Sequence, residues 1–394
     1  MVPNEWKRTS VSDICSLQNG HSFKPKDWDT TGLPIIRIQN LNGSQNFNYF
    51  SGEPQDRWIV ENGQILFSWA GTKGVSFGPF IWKGKKGVLN QHIFKVIAKK
   101  EVNKKWLFYI LKFVTISIEE KAHGFKSTLV HVKKSDIDDH IVPLPPLLEQ
   151  KKIAKILTAW DKAIITTECL IENSKQQKKA LMQQLLTGQK RLLDDSGQRF
   201  SGDWVKTELK DVLHEEGTRN KNGLIERVLS VTNHSGFVLP EEQFSKRIAS
   251  KDTSNYKIVK KGQFGYNPSR LNVGSFARLE DYDEGLLSPM YVIFSVIKTK
   301  LDSDFFLQWM HSHEANQRIK NSTQGSVRES VNFNALTSIS VGLPSIEEQQ
   351  KIATVLTSAD REIEVLEQQL ADLQKEKKAL MQQLLTGKKR VKVD

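Results

Sequence analysis

Cysteine is nearly missing: Cys15 and Cys169 are the only two in 394 residues, far apart and without CxxC spacing. That excludes a disulfide framework and a cysteine-built zinc site, and it fits a reducing compartment. No run approaches the roughly 20 apolar residues of a membrane span, and the opening MVPNEWKRTS has no apolar core of signal-peptide length. A cytoplasmic protein is expected. Acid is in the minority, 45 Asp and Glu against 57 Lys and Arg, and the net charge of +12 favours an anionic partner. Nucleic acid comes ahead of membrane because no long amphipathic or apolar segment accompanies the charge. A merely soluble basic surface is the plainer alternative.

The signatures of catalysis are missing too. No GxxxxGK[ST] loop exists, and Gly71-Thr-Lys-Gly74 has the composition without the spacing to cradle phosphates. Tyr266-Asn-Pro-Ser269 lacks the second proline and the aromatic of an aminomethylating motif, and no Gly-rich cofactor turn follows a strand elsewhere. Glu119-Glu-Lys121 has the letters of a metal-nuclease Glu-x-Lys but reads as a solvated helix end. His311-Ser-His313 reads as part of a helix, where residues two apart face different directions. Neither a nucleophile nor a bound metal is expected.

What is present is a repeat, which must be read first. Leu144 to Arg191 returns as Leu343 to Arg390 at a constant offset of 199 without insertion, identical at 25 of 48 positions. Pro145-Pro146 cannot continue a strand or sit inside a helix, and so marks a boundary. From Glu149 to Thr187 there is no Gly or Pro, and apolar residues follow a heptad rule. Ile153, Trp160 and Leu181 form one core column; Leu157, Ile164, Ile171 and Leu185 form the other. In the second copy the columns read Ile352, Ala359, Leu366, Leu373, Leu380 and Leu356, Ile363, Leu370, Leu384. Lys178 and Lys377 stand at equivalent core positions, while Thr167 and Ser174 predict a looser middle in the first copy. Gly188 and Gly387 suit left-handed caps, and Ser345 with Glu348 suits a capping box, for which the first copy substitutes Pro146 and Glu149. A helix of about 39 residues, roughly 58 Å long, would expose its seam alone. Two of equal length predict burial against each other as an antiparallel pair; parallel pairing, or pairing with another copy, is the competing arrangement.

Residues 1–143 read as a mixed α/β domain. Leu33 to Gln39, Gly63 to Trp69 and Val88 to Ala98 are strand-like runs, Trp106 to Ile118 is helical, and two short extended pieces lie around Thr128 to Val132 and Ile141 to Leu144. The stretch from Asp203 restates this more faintly: Trp6-Lys-Arg-Thr9 matches Trp204-Val-Lys-Thr207, and Phe94 with Val96 matches Phe294 with Val296. The expected fold is therefore α/β. Two mixed α/β domains (1–143 and 192–342) are separated by two long helices (144–191 and 343–394, the second with a basic tail) in a pseudo-twofold internal repeat. The scaffold is doubled while the loops differ, as two binding domains with different targets would be.

Those loops carry a nucleic-acid reader's side chains. The candidates are Arg37, Gln39, Asn40, Lys73, Lys85, Lys86, Lys126 and Ser127 in the first domain, and Asn267, Ser269, Arg270, Asn272, Ser326 and Arg328 in the second. Arg and Lys suit guanine O6 and N7, Asn and Gln suit adenine, and Ser and Lys suit phosphate. Trp28, Trp58, Trp69 and Trp82 could stack on bases, though core packing is the better reading for most.

Leu144-Pro-Pro-Leu-Leu-Glu-Gln150 and Leu343-Pro-Ser-Ile-Glu-Glu-Gln349, the two KKALMQQLLTG endings, Ile35-Ile-Arg-Ile-Gln-Asn40 and Tyr266 to Gly274 together resemble the specificity subunit of a Type I restriction-modification system, over the whole chain. The resemblance implies a non-enzymatic subunit whose two domains each read half of a split, asymmetric site in double-stranded DNA. The helices would fix the gap and hold two methyltransferase subunits, to which restriction subunits add. S-adenosylmethionine, ATP and Mg would belong to those partners, with no cofactor or metal in this chain. A coiled-coil adaptor whose globular ends bind proteins is the alternative, and an enzyme with an unrecognised site is a third.

Overall fold

The structure is a computed structural model that describes residues 3–121, 129–233, 235–243, 252–322 and 330–393. The chain divides into two compact units, Met1–Glu168 with Gln368–Asp394, and Cys169–Glu367. The division passes through both long helices, Leu147–Leu185 and Ile346–Leu385. Each unit therefore holds the start of one long helix and the end of the other.

In the first unit an antiparallel sheet has the order Cys15–Asn19, Ile93–Ala98, Ile65–Ser68, Gly78–Ile81. Alternation aims Phe67, Phe94 and Val96 at the helix Lys104–Lys121, whose Trp106, Leu107, Ile110, Leu111 and Val114 are buried. Ile153 and Leu157 of one long helix, and Met381, Leu384 and Leu385 of the other, join the same core. The long helices are thus rooted in the globular body by the residues that form the seam. A second sheet, mixed through the parallel pairing of Leu33–Ile36 with Gly87–Leu89, is completed by Tyr49–Phe50 and Ile59–Val60.

The second unit repeats this frame. Its antiparallel sheet runs Leu213–Glu215, Val292–Val296, Phe264–Tyr266, Phe276–Arg278, and Phe264 lies opposite Phe294 as Phe67 lies opposite Phe94. Phe264 stacks on Phe276 and Phe294 with centroids 5.4 Å apart, and Leu185, Leu186, Ile352 and Leu356 close the core. In both units a strand before the first helix pairs antiparallel with the strand leading into a long helix: Thr9 opposite Val142, Thr207 opposite Val341.

Several expectations are corrected. The Leu33 to Gln39 run is a strand only to Ile36; Asn40 Oδ1 then accepts the Arg37 N–H at 3.0 Å and turns the chain into a short helix, Ile38–Leu41. Val88 to Ala98 is two strands serving different sheets. His311 caps one helix, Ser303–Met310, and His313 opens the next, so the pair does not share a helix. Glu119 is buried, and its Oε1 accepts the Gly74 N–H at 2.8 Å, so that helix end is not a solvated one.

The antiparallel arrangement of the long helices is present in each unit. Ile153, Leu157, Leu185, Ile352, Leu356 and Leu384 are fully buried, Ile171 and Ile363 are buried, and Ile164, Leu181, Leu370 and Leu380 are half-buried. Thr167 is buried as well, its hydroxyl donating to Ala163 O at 3.0 Å. Gly188 and Gly387 have φ of +70° and +76°. A Cβ at Gly387 would lie 2.6 Å from Pro3 Cγ, so both conformation and space require glycine there.

Candidate nucleic-acid interface

Each long helix is fastened at its start by the Glu-Gln pair of the repeat. Gln150 accepts the Asn103 N–H at 2.8 Å and donates to Pro145 O at 2.9 Å; Gln349 accepts the Asp302 N–H at 2.9 Å and donates to Pro344 O at 3.0 Å. Ser345 Oγ accepts the Glu348 N–H at 3.3 Å, as a capping residue should. The Glu348 carboxylate, however, accepts both arms of Arg191, at 2.6 and 2.7 Å, rather than closing a capping box. Glu149 likewise takes the Arg390 guanidinium and the Trp6 indole N–H, the latter at 3.2 Å. The Gly-x-Lys-Arg that ends each repeat thus clamps the other helix's first turn.

In the first unit segments beside the candidate readers line a cleft of about 1090 Å³; Asn40 is part of its wall, and Arg37, Gln39, Lys73, Lys85 and Lys86 are not. Asn40, Phe47, Gly74, Trp82, Lys83 and Lys112 are among its lining residues. Arg37 lies over the ring of Trp28 at 4.5 Å and hydrogen-bonds Asn48. Trp28 is the exposed member of the four tryptophans, at 38%. Trp58 is buried and stacks on His21 at 4.0 Å; Trp82 is buried and donates to Lys85 O at 2.8 Å; Trp69 donates to Gln91 O at 3.1 Å. Gln39 and Lys85 are exposed, and Lys86 is exposed in an ion pair with Glu61 at 3.1 Å. Two candidates support the loops themselves. The Asn40 amide is buried and donates to Ser44 O and Asn46 O, both at 3.0 Å, and Lys73 Nζ donates to Glu119 O at 3.3 Å.

In the second unit the turn Pro268–Val273 is capped by Asn267, whose side chain accepts the Ser269 N–H at 3.0 Å. Ser269 and Arg270 are exposed on that turn, and Asn272 is half-buried. Val331 N–H donates to Pro268 O at 2.9 Å, and Ser275 Oγ donates to Val231 O at 2.8 Å, seating the turn between two other segments. Lys126, Ser127, Ser326 and Arg328 lie outside the described residues.

Further polar groups flank these side chains without any motif to mark them. Lys24 and Lys26 are exposed on the turn leading to Trp28. Exposed Asn233 brings its Cβ within 3.6 Å of the position a Gly274 Cβ would take, beside the Arg270 turn. The lysines were visible as charge two residues apart, but only the fold puts Asn233 next to residues some forty positions away. Among the described residues no group of three or more His, Cys, Asp or Glu could hold a metal, and no helix is long and apolar enough to cross a membrane.

Comparison with known proteins gives this doubled frame a context. Residues 3–174 and 202–375 each match the family model described as Type I restriction modification DNA specificity domain. The specificity subunit of the Type I restriction enzyme MjaVIII of Methanocaldococcus jannaschii is 28% identical over 99% of this chain and 94% of its own length. That of the EcoBI enzyme of Escherichia coli is 25% identical over 89% of this chain and 78% of its own. Among solved structures, the Type I restriction-modification S subunit from M. genitalium superposes with a TM-score of 0.59 at 15% identity, covering 98% of each chain. With both halves matched and the fold shared end to end, the chain belongs to the DNA specificity subunits of Type I restriction-modification systems.

Proposed function

We propose that the two units each read one half of a split, asymmetric sequence in double-stranded DNA, and that the long helices set the gap between the halves. The observation that carries this is the pairing of a doubled frame with undoubled loops. The strands, the Glu-Gln helix starts and the end clamps recur at equivalent positions. The loops do not: after Ile65–Ser68 the first unit has the strand Ala70–Thr72, whereas after the equivalent Phe264–Tyr266 the second has the turn Pro268–Val273 with exposed Ser269 and Arg270. One frame with two different loop sets suits two different half-sites.

Residues 1–143 and 192–342 are the reading domains on this account. Arg37, Gln39, Lys85 and Lys86 reach DNA from the first, and Ser269, Arg270 and Asn272 from the second, with Lys126, Ser127, Ser326 and Arg328 as further contacts. Asn40, Lys73 and Asn267 shape the loops that present them. Exposed Ile165 and Leu170 on the first long helix and Val365 on the second support docking of two methyltransferase subunits along the helices, with restriction subunits added in the full complex. S-adenosylmethionine, ATP and Mg belong to those partners, this chain is not itself a catalyst, and the assembly works in the cytoplasm.

The test is to map methylated adenines in the source genome with and without this gene. A split motif lost on deletion is expected. An unchanged methylation pattern, or loss of an uninterrupted motif, contradicts the reading.

A further inference from the structure

Charged residues inside the helix seam are left unused by sequence reading alone. In the first unit Asp161 accepts a hydrogen bond from Tyr109 Oη at 2.5 Å and is ion-paired with Lys377. In the second unit Asp360 accepts from Gln308 Nε2 at 2.8 Å and from Lys178 Nζ at 2.5 Å. The lysine side chains are only 12% and 17% exposed. Each aspartate therefore joins three elements: its own long helix, the other long helix, and a helix of the globular body, Lys104–Lys121 or Ser303–Met310. The junctions are equivalent at the repeat's offset, although their third member is tyrosine in one and glutamine in the other.

Stability does not call for charges here, since a desolvated ion pair is often no better than well-packed apolar residues of similar volume. Selection among arrangements does, because a polar group at a core position makes wrong registers costly. A slip of one heptad in one direction would set Lys377 against Ala154 and Lys178 against Ala353. In the other direction it would set Asp161 against Leu384 and Asp360 against Leu185. Either slip sets a partly buried charge against an apolar side chain and leaves it without its partner, whereas an all-apolar seam would tolerate both.

We propose that Asp161 and Asp360 are positioning residues for spacing specificity: each locks a reading domain and both long helices in one register, and so confines recognition to one gap between half-sites. The proposal rests on the reading that the helices set the gap. It is tested in the assembled complex with its methyltransferase subunits, on DNA carrying the mapped split site with the gap varied one base pair at a time. D161L/K377L/K178L/D360L should melt at or above the parent's temperature yet lose about tenfold or more of its discrimination against gaps one base pair longer or shorter. Y109F/Q308M, which cuts only the bonds to the globular helices and leaves the ion pairs, should lose about threefold and serves if the first variant does not assemble. Discrimination equal to the parent's in either variant overturns the proposal. One heptad inserted in each long helix separates the two claims. If the preferred gap moves while the leucine variant discriminates like the parent, the helices set the gap and the aspartates do not. If the gap does not move, the spacing reading itself fails.

Discussion

Removing the Arg191 guanidinium would leave the Glu348 carboxylate, 1% exposed at the first turn of the second long helix, without the two charge-assisted hydrogen bonds that now hold it. Breaking one side of a buried pair costs about 3–5 kcal/mol. Arg191 is itself 19% exposed, so water can enter the vacated position, and the low end, about 3 kcal/mol, is the appropriate figure. For a body of this size each kcal/mol moves the melting temperature by about 2–4 °C. Arg191→Ala should therefore lower it by roughly 6–12 °C in calorimetry. Arg191→Leu combined with Glu348→Leu removes both charges and should return to within about 3 °C of the parent. If the alanine variant stays within about 2 °C, or the double variant falls as far as the single one, the clamp does not stabilise in the way argued.

Four further outcomes follow from particular side chains. At Asp161 burial pushes the carboxyl's pKa up, but hydrogen bonds from Lys377 and Tyr109 outweigh it and leave the group below its usual range. Such a group adds stability above its unfolded value of about 3.9 and loses it as pH falls through the lower folded value. Thermal stability should therefore fall more steeply below about pH 4 in the parent than in D161L/K377L, and parallel curves would refute this. Cys169 is exposed, whereas Cys15 is buried, its thiol pushed up to about 12 chiefly by burial; a thiol reagent under native conditions should label Cys169 alone, and comparable labelling of Cys15 in peptide maps would contradict the packing. Lys85→Ala should reduce the slope of log affinity against log salt by about 0.9 for one lost phosphate contact, while Arg270→Ala should relax preference at one base pair by about 1–3 kcal/mol; unchanged DNA binding in either variant removes that residue from the interface.

The helices are legible in the sequence because a seven-residue period is a local signal: Ile153, Leu157 and Ile352, Leu356 announce their faces before any partner is known. The lysines at 178 and 377 stand out as breaks in that period. Their partners do not, since Asp161 and Asp360 are ordinary polar letters until the antiparallel register brings them opposite. Arg191 and Arg390 are hidden for the same reason, and Glu348 suggests a capping box because local spacing cannot reveal a stronger partner 157 residues away. The loops are the least legible part. Asn40 has the chemistry of an adenine reader, yet its amide is taken up by Ser44 and Asn46. Which asparagine reads and which one shapes a turn is decided by backbone carbonyls that carry no sequence signature.

Exchange of residues 1–143 for the corresponding domain of a relative, followed by mapping of the DNA methylated by the assembled complex, tests the division of labour most directly. One half of the recognised sequence should change while the other half and the gap are retained. A change in both halves, or in neither, would contradict it.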